Sequence, residues 1–220
     1  MCRSSFPVRA TLALTFVAVS ALSSATASAQ RLAILGGGTY SQLRGVENVS
    51  VKSRSGTMLG VSLTIPAGES WSFQPEALFL NKGGAITRAA GERQDVRLDY
   101  FEIPLLLRRE FAAGGTLNPH LYAGPSVGYQ LNCKVTVEGP GIPNTSSDCR
   151  RDLFLEPASV DWGAVVGAGV DLSLGGLGVT GGARYGFGLA NINKDDGAAL
   201  EQRVRNGTLT VYGGILFGRR

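Results

Sequence analysis

From Leu98 to Phe111 the chain reads LDYFEIPLLLRREF, and its apolar and polar positions alternate. Phe101, Ile103, Leu105 and Leu107 form one wholly apolar row, while Tyr100, Glu102, Pro104, Leu106, Arg108 and Glu110 form the other. Period-two alternation of this length predicts a β-strand with one oily face and one that carries charge. A soluble sandwich would turn the charged row to water and bury the oily row in a core. The pattern recurs in most later segments, with no helix to cover the oily side. A barrel with lipid outside and polar groups inside satisfies it.

Strand-like runs are predicted at about Arg31–Ser41, Thr57–Pro66, Trp71–Asn81, Val96–Phe111, Asn118–Leu131, Val160–Leu174, Leu177–Ala190 and Gly207–Gly218. Each spans about 10 to 16 residues, and a tilted membrane strand needs about 9 to 11. The connections between them measure roughly 15, 4, 14, 6, 28, 2 and 16 residues in chain order. Long and short alternate, as they do in an up-and-down barrel that sends its long loops to one side and its tight turns to the other. The expected fold is therefore all-β, an eight-stranded antiparallel up-and-down transmembrane β-barrel.

The remaining strands sort by face in the same way. In the sixth, Trp162, Ala164, Val166, Ala168, Val170, Leu172 and Leu174 oppose Asp161, Gly163, Gly167, Gly169, Asp171 and Ser173. In the seventh, Val179, Ala183, Tyr185, Phe187 and Leu189 oppose Thr180, Gly182, Arg184, Gly186 and Gly188. The small residues of the second set suit the narrow interior of an eight-stranded barrel, which side chains can fill. Trp71, Phe111, Tyr129 and Trp162 lie near strand ends, where an aromatic girdle is expected. The first strand, with Gly36-Gly37-Gly38, does not divide into faces. Pro66, Pro75, Pro104 and Pro125 each remove a ladder donor, so bulges or locally open pairing are expected there.

The first residues change the picture of destination. Met1 to Arg9 carries two basic residues and no acid, Ala10–Leu22 is a mostly apolar run of about 13 residues, and Ala27-Ser28-Ala29 supplies small residues for cleavage. Residues 1–29 read as a secretory signal peptide and residues 30–220 as one barrel domain. Without Arg3 and Arg9, 19 of the 21 basic residues remain against 17 acidic ones. A mature chain this close to neutral gives no reason to expect a nucleic-acid partner. Export leaves Cys133 and Cys149 in an oxidising compartment, where a disulfide between them is expected.

LDYFEIPLLLRREF resembles the tyrosine, acid, hydrophobic, proline, leucine-rich strand of the PorT-like outer-membrane β-barrel family of Bacteroidetes-type bacteria. Further matching pieces are Gly37-Gly38-Thr39-Tyr40-Ser41, Gln74-Pro75-Glu76, Lys82-Gly83-Gly84, Tyr122-Ala123-Gly124-Pro125-Ser126 and Tyr185-Gly186-Phe187-Gly188-Leu189-Ala190-Asn191-Ile192. The resemblance implies an eight-stranded barrel in the bacterial outer membrane and implies no reaction. Outer-membrane barrels often end on an aromatic residue, whereas here Gly218-Arg219-Arg220 follows Phe217.

Glu76, Glu102, Arg108 and Arg184 fall near mid-strand on the inward rows. Buried charges are costly unless paired, so a lumen charge network is expected, with Glu76 and Arg184 pairing across the barrel. A stiffening plug is the preferred reading of that network and a gated ion path the other. His120, the only histidine, has no second imidazole, thiolate or serine constellation beside it in the sequence, so it reads as structural. Asn191–Gly197 resembles a calcium loop but lacks the correctly spaced glycine and the closing glutamate. No catalytic residue, metal site or cofactor is expected.

The function expected is that of a monomeric, non-enzymatic barrel with a structural or surface-interaction role. Its partners are outer-membrane lipid and, at the long extracellular loops, a protein or surface ligand, chiefly at Asn132–Ser159. The alternatives are a narrow outer-membrane pore, a lipid-modifying outer-membrane enzyme using His120, and a secreted lipocalin-like barrel with its apolar rows inside.

Overall fold

The computed structural model describes residues 30–44, 50–87, 93–111, 116–139, 142–148, 160–174, 177–189 and 205–218. Among these the strands are β1 (Arg31–Arg44), β2 (Ser50–Pro66), β3 (Trp71–Thr87), β4 (Arg93–Glu110), β5 (Leu117–Gly139), β6 (Ile142–Asp148), β7 (Val160–Leu174), β8 (Leu177–Gly188) and β9 (Arg205–Phe217). All pairings are antiparallel. The sheet order is β4-β3-β2-β1-β9-β8-β7-β5, and pairing of β4 with β5 closes it into an eight-stranded barrel. Closure leaves the barrel wall without edges, so its backbone groups can be satisfied within a membrane.

The faces are those that the alternation requires. Phe101, Ile103, Leu105 and Leu107 are exposed on the outer wall, while Tyr100, Glu102, Leu106 and Arg108 are buried inside. On β1, Leu32, Ile34 and Tyr40 face out and Arg31, Ala33, Leu35, Thr39 and Ser41 face in. The lumen is mixed rather than polar throughout, because Leu35, Met58, Leu78, Leu80, Leu106 and Leu216 form a buried cluster within it. The outer wall carries Trp71 and Phe111 at the turn end, with the Arg109 guanidinium 5.4 Å and 5.5 Å from their ring centres. Tyr129 and Trp162 are exposed toward the loop end.

Three of the expected long loops differ from expectation. β2 begins at Ser50, and β3 and β4 extend to Thr87 and back to Arg93, so the stems of two expected long loops are ladder. The oily period ends at the aqueous boundary, but backbone pairing needs no oily face and continues beyond it. Polar side chains reinforce it there: Thr57 Oγ1 donates to Asn81 Oδ1 at 2.6 Å and Asn81 Nδ2 to Asp99 Oδ1 at 2.6 Å. The third difference lies in the expected loop Asn132–Ser159. β5 continues to Gly139 and returns as β6, a ninth strand paired to β5 beyond the barrel wall. Cys133 and Val135 are buried with Leu98 and Tyr100, and Val96 and Val137 pack against them. Burying a valine-sized side chain contributes about 1.5–3 kcal/mol, enough to hold a short hairpin to its neighbour.

The prolines open the ladder without shifting it. Pairing lapses between Pro75–Leu105 and Leu78–Glu102, and again between Pro104–Ser126 and Leu107–Ala123, with the register unchanged on either side. A bulge occurs elsewhere, where Asp99 faces Asn132 but Tyr100 faces Gln130, so that Leu131 is the extra residue. The turn between β2 and β3 is closed by Ala67 N donating to Trp71 O at 2.8 Å, and it needs Gly68 at φ 133°.

Candidate functional site: the charged lumen

Inward side chains from all eight wall strands fill the lumen, and glycine decides where the largest can lie. Tyr122 on β5 and Tyr212 on β9 meet with their hydroxyls 3.0 Å apart. A Cβ at Gly167 would stand 2.5 Å from the Tyr122 ring, and one at Gly182 would stand 2.8 Å from the Tyr212 hydroxyl. The inward glycines of β7 and β8 thus make room for two tyrosines from the neighbouring strands β5 and β9.

Beside this layer, Arg184 on β8 reaches across to Glu76 on β3, its Nη1 donating to Oε2. These strands are four steps apart in either direction around the ring, so the pair spans a diameter. The guanidinium also lies 5.1 Å from the Tyr212 ring centre and places Nη2 2.6 Å from Met58 Sδ. From Glu76 the contacts continue toward the turn end. Gln74 Nε2 donates to Glu76 Oε1 at 2.8 Å, and Arg108 Nη1 donates to Gln74 Oε1 at 3.1 Å. Arg108 also pairs with Asp171, which accepts from Arg31 Nη1 at 2.9 Å, and both arginines pair with Glu110. One network therefore runs from Arg184 to Arg31. Each of its guanidiniums has a carboxylate partner, which offsets a desolvation penalty of several kcal/mol per ion.

Of the four residues expected to form the lumen network, the structure joins Glu76, Arg184 and Arg108 in this chain and sets Glu102 apart. Glu102 pairs with Lys82, whose ammonium lies 5.1 Å from the Tyr100 ring centre. Lys82 stands inside β3, in a stretch expected to be loop. Glu110, Asp161 and Asp171 were legible only as members of inward rows, Gln74 only as part of Gln74-Pro75-Glu76, and Arg31 came from the strand whose faces could not be assigned. What could have singled them out is their number: a narrow lumen with these arginines requires as many carboxylates.

His120 is buried, with Nδ1 3.5 Å from the Asn118 carbonyl and 3.7 Å from Asp171 Oδ1, and its ring stacks on Tyr122 at 5.9 Å. Gly169 makes the space for it, since a Cβ there would lie 2.7 Å from Nε2. Among the described residues, no group of three or more His, Cys, Asp or Glu could hold a metal ion. Cys133 is buried; Cys149, residues 1–29 and the Asn191–Gly197 segment lie outside the described residues.

Residues 27–194 match the family described as outer membrane protein beta-barrel domain. Among solved structures, the outer membrane protein OprG from Pseudomonas aeruginosa is 13% identical, with 87% of this chain and 97% of that one covered and a TM-score of 0.50. Neisserial surface protein A is 14% identical, with 86% and 97% covered and a TM-score of 0.47. These likenesses concern the fold. No curated protein matches the chain.

Proposed function

The chain belongs to the family of outer membrane protein beta-barrel domains and resides in the bacterial outer membrane, and from that premise we propose that it is a closed, monomeric, non-enzymatic barrel. It acts as a structural or surface-interaction protein of PorT-like type, through the long loops on the extracellular side. The observation that carries this reading is the buried network from Arg184 to Arg31, which crosses the lumen on a diameter and ties its periplasmic mouth. An ion moving through would have to break these charge-paired contacts. Planar-bilayer recording on the purified, folded chain tests it: no steady single-channel current is expected. A steady current would transfer the protein to the narrow-pore reading. A lipid-modifying role finds little support at His120, which is buried against Tyr122.

Recognition is assigned to the extracellular loops because loops on a rigid scaffold carry specific binding, here of a protein or surface ligand. Part of that surface is the β5–β6 hairpin. Lys134 faces Asp148 across it, so Cys133 and Cys149 are each one residue beyond a paired neighbour, which supports the disulfide between them. The unreduced mature chain should therefore take up no alkylating reagent, and uptake at both cysteines before reduction would remove the bridge from the proposal.

A further inference from the structure

At the extracellular end of the lumen a cavity is lined by Lys82, Glu102, Ser126, Asp161, Gly186 and Thr208, among others. Its charges do not balance. Lys82 is taken up by Glu102, while Asp161 on β7, separated from the Glu102 strand only by β5, is only 8% exposed, and its Oδ1 has no hydrogen-bond partner. Gln130 Oε1, the next inward position beyond Gly128 on β5, is a second buried acceptor without a donor. Two carboxylates against one ammonium leave one negative charge in a recess walled by protein. A carboxylate so placed is costly until a cation or a donor meets it.

We propose that this cavity is a binding site for one small monovalent cation, an alkali ion or a primary ammonium group, held by Asp161 Oδ1. The charge count selects a monovalent ion. A divalent ion would over-neutralise the recess. The glycine at position 186 keeps the space open: a Cβ there would meet only the Thr208 carbonyl, at 3.9 Å. The site lies on the loop side of the Arg184–Glu76 pair and does not depend on a conducting lumen.

The test is thermal unfolding of the folded full chain in detergent at constant ionic strength, with tetramethylammonium chloride exchanged stepwise for potassium chloride or methylammonium chloride. Tetramethylammonium has no N–H to donate and is too bulky for close oxygen contact. A saturable rise of a few degrees in the midpoint with potassium, methylammonium or both is expected, and which salt acts tells the alkali ion from the ammonium group. The rise should vanish in Asp161→Asn, which keeps the shape and removes the charge. It should vanish also in Gly186→Leu, which fills the space and keeps the carboxylate. Equal midpoints in all three salts, or a rise that persists in either variant, would overturn the site.

Discussion

Asp171→Ala is expected to destabilise the folded barrel by about 3–5 kcal/mol, the cost of removing one partner from a buried ion cluster. Asp171 is fully buried and accepts from both Arg31 and Arg108. Without it, two guanidiniums from β1 and β4 share the single carboxylate of Glu110. Asp171→Asn should cost nearly as much, since it keeps the shape and loses the charge, and this separates electrostatics from packing. Adding Arg31→Gln to Asp171→Asn should recover part of the loss. Urea unfolding in detergent micelles, followed by heat-modifiable gel mobility, measures each variant. A loss below about 1 kcal/mol, the range of exposed pairs, would show that water reaches this cluster freely.

Arg184→Met should cost a comparable amount, about 3–5 kcal/mol, for a different structural reason. It deletes the cation paired with Glu76 and, among the described residues, leaves that carboxylate with Gln74 Nε2 as its hydrogen-bond donor in the middle of the barrel. Methionine fills much of the same volume beside Met58 and Tyr212, so packing loss is kept small. The companion Arg184→Met/Glu76→Gln should be more stable than Arg184→Met, because no unpaired charge remains. The double-mutant cycle then gives a coupling energy of the order of 0.5–3 kcal/mol for residues in contact. Additive losses in that cycle would mean that the two side chains do not depend on one another across the lumen.

The wall of the barrel was legible in the chain because lipid imposes a strict rule on it. Every residue of the row Phe101, Ile103, Leu105 and Leu107 must be apolar, so the alternation is complete and the face of each strand follows. The loop stems were less legible. Beyond the aqueous boundary the ladder from Asn81 to Thr87 needs only backbone pairing and accepts polar side chains, so its sequence resembles loop. Gly36-Gly37-Gly38 hid the faces of β1 for a related reason: without side chains at three successive positions the period cannot be read. There Gly37 faces inward, where a Cβ would lie 2.9 Å from Tyr212 Cβ, and Gly36 and Gly38 face open space.

By itself the sequence determined the fold class, the inward or outward facing of most strands, and the presence of charges inside. These are consequences of period-two geometry and of the bilayer acting as solvent, and both are local to each strand. Only the tertiary structure decided which charge meets which. Glu76 finds Arg184 because β3 and β8 stand on opposite sides of the closed ring, while Glu102 finds Lys82 on the neighbouring strand. Partner choice depends on closure, register and the bulge at Leu131, which bring residues far apart in sequence to one depth of the lumen, and no single strand contains that information.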